Sequence, residues 1–119
     1  MRRSVIVLLV AALAILGSTG CQQLKARDNL NKGVQAYKNA KYPEAVAFFQ
    51  KAVELDPSFK TTHLYLATAY MSQYIPGAES PENVRMAESA YNEFQNVLKI
   101  DPKDELATAS IASDRKSVV

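Results

Sequence analysis

Two stretches of this chain resemble each other, and together they decide its fold. Residues 31–57 read NKGVQAYKNAKYPEAVAFFQKAVELDP, and residues 87–102 read AESAYNEFQNVLKIDP. Both carry small and aromatic residues at spacings of four and three, and both end in Asp-Pro. Internal similarity of this kind is typical of helical hairpins that stack on one another. The sequence therefore predicts an all-α chain that presents a surface, which argues against a catalytic pocket.

The second helix of each unit has the clearest pattern. Its shared positions are Ala45, Phe49 and Ala52 in the first unit and Ala90, Phe94 and Val97 in the second. Residues three and four apart lie on one helical face, so each set predicts a packed stripe. Pro43 suits the first turn of a helix, where a missing N–H costs nothing. Asp56-Pro57 ends that helix, because the residue before proline avoids the α region.

These units resemble the tetratricopeptide repeat (TPR), a helix-turn-helix of about 34 residues. Gly33 fits the small residue of the first helix (helix A), where the two helices approach closely, and Tyr42 fills the turn. Leu66, Ala67 and Tyr70 fit the family's Leu, Gly and Tyr positions in the second unit. The resemblance implies TPR helical hairpins stacked as a short α-solenoid, with TPR 1 at residues 26–59 and TPR 2 at residues 60–104.

The second unit contains an insertion. Pro102 follows Pro57 by 45 residues, about eleven more than one repeat, and the excess lies at about residues 74–86. Pro76-Gly77 predicts a turn. Ser80 is a candidate N-cap, with Pro81 as the first residue of a helix. We expect a short ordered loop and about two extra turns at the front of the second helix (helix B).

Residues 105–113 predict the start of a third helix A, with Asp104 as its N-cap. Leu106, Ala109 and Ala112 are expected to cover the exposed end of the preceding helix B. Residues 114–119, DRKSVV, are what a widely used sequencing adapter encodes in one frame. We therefore expect a non-native or disordered tail on a truncated protein that naturally continues with more repeats. The alternative is a genuine polar C-terminal tail.

The N-terminus has the pattern of a secretory signal peptide at residues 1–20. Arg2 and Arg3 precede twelve apolar residues, 5–16, and small residues follow. The run is too short to span a bilayer comfortably, since that takes about 20 apolar residues. The alternative is a buried core helix.

Residues 18–21, Ser-Thr-Gly-Cys, resemble the lipobox of bacterial lipoproteins, with Ser18 in place of the usual Leu. The resemblance implies a lipid on Cys21, the only cysteine, and a lipidated tether at residues 21–25. The protein would then be anchored in the bacterial cell envelope and face the periplasm. Gln22 in place of Asp favours the outer membrane over the inner one. The alternative is an ordinary cleaved signal with an incidental cysteine.

The composition excludes several classes of function. Without Arg2 and Arg3, the remaining 12 basic residues balance the 12 acidic ones, which argues against nucleic acid as a partner. His63 is the only histidine, so no common zinc site can be assembled. No glycine-rich phosphate loop is present. We predict no enzyme activity, no metal and no small-molecule cofactor.

The remaining titratable and aromatic residues have ordinary structural interpretations. His63 stands where the family often has Trp, and we expect a packed or half-exposed structural histidine. The glutamates expected to be solvated on helix B surfaces are Glu44, Glu54, Glu88 and Glu93. The tyrosines expected to pack beside the core are Tyr42, Tyr65, Tyr70 and Tyr91.

The TPR resemblance also implies a concave groove lined by helices A. The residues expected to line it are Leu30, Val34, Tyr37 and Lys38 in the first unit and Leu64, Thr68 and Met71 in the second. Arg27, Thr61 and Ser72 are also expected to face the groove. Chaperone-binding members of the family hold a peptide carboxylate there with Lys and Asn. Leu30 and Val34 replace those polar groups, so we expect an apolar groove for a hydrophobic helix or extended segment of a protein partner. Alternatively, neighbouring repeats cover part of it.

The anchor and the repeats together are similar to bacterial TPR lipoproteins. The leading hypothesis is a non-enzymatic, membrane-tethered protein–protein interaction module. One alternative is a structural assembly factor for an outer-membrane complex. Another is the substrate-recruiting part of a larger enzyme.

Overall fold

The computed structural model describes the backbone of residues 1–117 and the side chains of residues 1–10 and 19–113. Within these residues the chain forms five helices: α1 (Arg2–Lys38), α2 (Tyr42–Leu55), α3 (Lys60–Met71), α4 (Pro81–Ile100) and α5 (Glu105–Ser117). Each helix packs against the next along the chain. The predicted all-α architecture of stacked, TPR-like helical hairpins is confirmed.

Helix α1 joins the predicted signal peptide and the first helix A in one continuous helix. The described side chains before residue 26 are exposed, and Ala26 is the first buried one. Cys21 is exposed on this outer part of α1, and the predicted tether at residues 21–25 is helical. The signal-peptide prediction falls partly on residues 11–18, whose side chains lie outside the described residues. Among the described residues, no helix combines the length and apolar character needed to cross a membrane.

The first hairpin packs α1 on α2 about a glycine. A methyl group on Gly33 would lie 2.5 Å from two ring carbons of Phe49, which is fully buried. Carbon atoms ordinarily approach to about 3.5–4.0 Å, so a glycine is needed here. The predicted close approach of the two helices is confirmed. The buried residues of this first core are Leu30, Ala36, Ala45, Phe49, Ala52, Leu66 and Ala69.

The ends of α2 follow the local signals in the sequence. The helix begins at Tyr42, with Pro43 in its first turn, and ends at Leu55, directly before Asp56-Pro57. Tyr42 packs against Tyr37 across the turn, with ring centroids 5.2 Å apart. Ala40 turns the chain in a left-handed conformation, with φ at 58°. Prolines and turn residues therefore delimit this helix as predicted.

The insertion has the predicted form of a short loop and a longer helix. Helix α4 has 20 residues against 14 in α2, and Ser80 caps it by accepting a hydrogen bond from the N–H of Asn83. Asn83 also ties down the loop, which the sequence did not reveal. Its amide donates to the carbonyl oxygens of Ile75 and Ala78, both at 2.8 Å, and its oxygen accepts from the N–H of Ile75 at 2.7 Å. The loop is thus held to the front of α4 by one buried side chain.

Helix α5 begins as predicted, since a carboxylate oxygen of Asp104 accepts a hydrogen bond from the N–H of Ala107. It continues to Ser117, so part of the predicted tail at residues 114–119 is helical backbone. Val118 and Val119 lie outside the described residues.

The face that α5 buries is one residue away from the predicted one. Ala107 and Ile111 are buried in a second core, while Leu106 is 57% exposed and Ala109 and Ala112 are exposed. The prediction that Leu106, Ala109 and Ala112 cover helix B was therefore wrong. The packing of α5 on α4 instead places Ala107 and Ile111 in the contact. The other buried residues of this second core are Ala67, Ala90, Phe94 and Val97.

Candidate functional site

The predicted groove residues on α1 differ in accessibility. Leu30 is only 8% exposed and belongs to the first core. It therefore does not line an open surface, because the packing of α1 on α2 covers it. Val34 is half-buried at the edge of the same core, and Lys38 is exposed.

Tyr37 is half-buried and connects the ends of two helices. Its hydroxyl oxygen lies 2.9 Å from Oγ of Ser72, the residue that follows α3. Its ring packs against Tyr42 and the edge of the first core. These contacts hold Tyr37 in place between the C-terminal ends of α1 and α3.

The predicted groove residues on α3 are more exposed to solvent than Leu30 on α1. Leu64 is half-buried at the edge of the second core. Thr68 is exposed, and its hydroxyl donates to the carbonyl oxygen of Leu64 at 2.8 Å. Met71 is 45% exposed at the end of the helix. The accessible apolar part of the groove therefore lies near the C-terminal end of α3.

A cavity of about 470 Å³ begins at Met71 and lies between α3, the inserted loop, α4 and α5. Its lining residues are Met71, Tyr74, Pro76, Ala87, Ala90, Tyr91, Phe94, Ala109, Ser110, Ile111 and Ser113. Most of these side chains are apolar or aromatic. Of the residues predicted for the groove, Met71 alone lines this cavity. The sequence did not reveal the cavity as a site because its walls come from three helices and a loop.

Buried His63 and half-buried Glu93 form a pair between α3 and α4. One carboxylate oxygen of Glu93 lies 2.6 Å from Nδ1 of His63, and the carbonyl oxygen of Pro57 lies 2.7 Å from Nε2. The hydrogen bond to Glu93 raises the pKa of His63 above its usual value, against the opposing effect of burial. His63 is packed, which is one of the two predicted states, packed or half-exposed. Glu93 is half-buried and paired with His63, so the prediction that it is solvated was wrong. The spacing along α4 did not reveal that Glu93 faces the only histidine.

Charged side chains also join the start of α3 to the turn between α4 and α5. Nζ of Lys60 lies 2.9 Å from a carboxylate oxygen of Asp101 and 3.0 Å from one of Asp104. The hydrogen bonds from Lys60 and from backbone N–H groups lower the pKa of Asp101, and those of Ala107 and Lys60 lower the pKa of Asp104. Because these groups remain accessible to water, the contacts orient the turn more than they stabilise the fold.

The predicted packing tyrosines lie at the borders of the two cores. Tyr65 stacks on Phe49 with ring centroids 5.5 Å apart, although 39% of it is exposed. Tyr70 accepts a hydrogen bond from the side-chain amide of Gln50 at 2.7 Å, and burial raises its pKa. Tyr91 is half-buried beside the second core. Arg27, predicted to face the groove, has its guanidinium carbon 3.5 Å from the ring centroid of Phe59.

The described residues contain no group of three or more His, Cys, Asp or Glu side chains that could hold a metal ion. The chemically distinctive features of this part of the chain are therefore the apolar cavity beside Met71 and the pair of His63 and Glu93.

Comparisons with known proteins give similarities to solved structures. No protein-family model matches the chain. No curated protein matches it either. Among solved structures, it is similar to the first TPR of Spaghetti (RPAP3) bound to the HSP90 peptide SRMEEVD. The sequences are 19% identical, the match covers 81% of this chain and 94% of that one, and the TM-score is 0.44.

Proposed function

We propose that this protein is a non-enzymatic protein–protein interaction module, tethered to a bacterial envelope membrane by a lipid on Cys21. Its binding surface consists of the groove residues Val34, Tyr37, Lys38, Leu64, Thr68 and Met71 together with the adjoining cavity. Leu30 supports this surface from the core beneath it. The partner contributes a hydrophobic helix or an extended segment with apolar side chains.

The observation that carries the proposal is the exposed apolar surface at the end of α3. Met71 is 45% exposed, and it borders a cavity of about 470 Å³ with mainly apolar walls. Exposed apolar surface rimmed by polar groups is a common mark of a protein interaction site. A concave surface of this composition suits apolar anchor residues of a partner better than a charged peptide terminus.

Membrane tethering rests on the sequence around Cys21 and on the position of that residue. Cys21 is exposed and lies five residues before Ala26, where burial in the hairpins begins. A lipid on Cys21 would therefore leave the two hairpins free to meet a partner. Since one acyl chain gives only marginal anchoring, stable attachment needs the several chains of a lipoprotein. The outer membrane, facing the periplasm, is the proposed location.

Binding is tested by crosslinking the full chain to its partner in the native envelope and comparing variants for capture of the same partner. Met71→Asp changes the most exposed apolar groove residue and should reduce capture at least about tenfold, which corresponds to about 1.4 kcal/mol. Tyr37→Ala and Leu64→Asp should also weaken it, with the loss of the aromatic side chain important because tyrosines are frequent interface hot spots.

Glu54→Lys is the matched control for charge, because Glu54 is exposed on α2, away from the groove. This variant should capture the partner as wild type does. Circular dichroism distinguishes lost contact from lost folding, since Met71→Asp should keep its helical content. Equal capture by Met71→Asp, Leu64→Asp and wild type would contradict the proposed surface.

The tether is tested separately with Cys21→Ser. Intact mass of the mature wild-type protein should show added acyl chains on an N-terminal cysteine. Cys21→Ser should move the protein from the membrane to the soluble periplasmic fraction. A mature wild-type N-terminus without acyl mass would refute lipid anchoring while leaving the interaction surface untouched.

A further inference from the structure

Both ring nitrogens of His63 face oxygen atoms that accept hydrogen bonds. Nδ1 lies 2.6 Å from the carboxylate oxygen of Glu93 on α4, and Nε2 lies 2.7 Å from the carbonyl oxygen of Pro57 in the turn between α2 and α3. The residue is 4% exposed, which leaves the ring little access to water. The ring therefore bridges two segments of the chain through its two nitrogens.

This arrangement selects one protonation state of the ring. A backbone carbonyl oxygen only accepts hydrogen bonds, and so does an ionised carboxylate. A neutral imidazole has a single N–H and would place a lone pair against one of the two oxygens. The imidazolium has two N–H groups and satisfies both contacts at once. With Glu93 ionised, the geometry requires a positively charged ring inside the hairpin.

We propose that His63 is a pH-sensitive switch in the second hairpin, which holds α3 to α4 and to the preceding turn as an imidazolium and releases one of these contacts when it loses its proton. This role is independent of the proposed partner and of the membrane anchor. It concerns the stability of the fold, because a neutral ring places a lone pair against one of the two acceptors and loses that hydrogen bond.

The charged and titratable groups around His63 are few. Glu93 faces it from α4, and the turn before α3 contributes only the Pro57 carbonyl. On α3 itself, Tyr70 also senses the charge of Glu93, and Lys60 is engaged with Asp101 and Asp104. The charge that acts on the ring is therefore that of Glu93, which raises the pKa of His63.

The sign of the pH dependence follows from proton linkage. The folded chain binds a proton on His63 more tightly than the unfolded chain, in which the pKa is about 6.5. The stabilisation is fully present below that value and is lost as pH rises through the higher pKa of the folded state. Between the two pKa values, the equilibrium constant for unfolding should increase up to about tenfold per pH unit.

The protonation state can be measured directly, because His63 is the only histidine in the chain. Nitrogen-15 NMR of the full chain, labelled at histidine, assigns the ring signals without mutagenesis. Below the titration midpoint both ring nitrogens should show the shifts of an imidazolium, and the midpoint should lie above about 6.5. An unshifted or lowered midpoint would overturn the proposal.

The link to stability is tested by urea unfolding of the full chain at about pH 5.5, 7 and 8.5. The wild-type midpoint should fall as pH rises across this range. His63→Gln should remove most of that fall. Glu93→Gln should lower the titration midpoint of His63 and move the loss of stability to lower pH.

Glu88→Gln is the matched control, since Glu88 is an exposed glutamate on the same helix. The urea unfolding midpoint of this variant should depend on pH as that of the wild type does. If Glu93→Gln and Glu88→Gln behave alike, the pair does not control stability and the proposal is wrong. If a variant fails to fold, the NMR titration of the wild type still decides the protonation state.

Discussion

Gly33→Ala is the sharpest test of how the first hairpin packs. The added methyl group would lie 2.5 Å from Cδ1 and Cε1 of Phe49 and 3.1 Å from Cζ. The two shorter distances are about 1 Å below an ordinary carbon contact. Phe49 is fully buried, so the ring cannot move without displacing other core residues.

The size of the effect follows from two opposing contributions. Overpacking a well-packed core typically costs about 1–3 kcal/mol. Replacing glycine by alanine within a helix stabilises it by about 1 kcal/mol. Because two ring atoms are affected at once, we place the packing cost near the upper limit. The net loss in the free energy of unfolding should therefore be about 2 kcal/mol.

Urea unfolding of the purified full chain, followed by circular dichroism, measures this loss. Gly20→Ala is the control, because Gly20 lies in the same helix with no atom near its added methyl group. It should leave the unfolding midpoint unchanged or slightly higher. The double variant Gly33→Ala/Phe49→Leu should lose less free energy of unfolding than the two single variants lose in sum, since the two residues are in contact. A Gly33→Ala protein as stable as wild type would refute the assigned packing of α1 on α2.

Two further predictions concern Phe49 and Asn83. Phe49→Ala should lower the free energy of unfolding by about 3–5 kcal/mol, which is comparable to the whole stability of so small a domain. A variant that kept its helical circular dichroism and a sharp thermal unfolding transition would contradict the packing register. Asn83→Ala removes the three hydrogen bonds to Ile75 and Ala78, so it should lower the free energy of unfolding by about 1–3 kcal/mol. It should also accelerate hydrogen exchange at the N–H of Ile75, and unchanged exchange there would show that other contacts hold the loop.

The helix ends were predictable from sequence because their signals are local. Pro43 and Pro57 act on their own backbone, and Ser80 and Asp104 cap N–H groups three residues away. Such interactions need no knowledge of the rest of the fold. The close approach at Gly33 was predictable for a related reason, since a repeat pattern specifies which residue must be small.

The residues exposed on the candidate surface were harder to predict from the sequence. The repeat pattern places Leu30 on the groove, yet Leu30 is buried in the first core. Leu106 has a size that suggests burial, yet Ala107 takes that place. In both cases the rotation of one helix against its neighbour decides exposure, and a shift of one residue turns a helical side chain by about 100°.

The all-α repeat architecture, the ends of α2, the starts of α4 and α5 and the form of the insertion were predictable from the sequence, because periodicity, prolines and caps act over a few residues. The tertiary structure alone decided which side chains meet across helices. It brought Glu93 of α4 to His63 of α3, tied Asn83 to the loop and enclosed the cavity beside Met71 between three helices. His63 and Glu93 are 30 residues apart in the chain, and their contact depends on the angle and rotation at which packed helices settle.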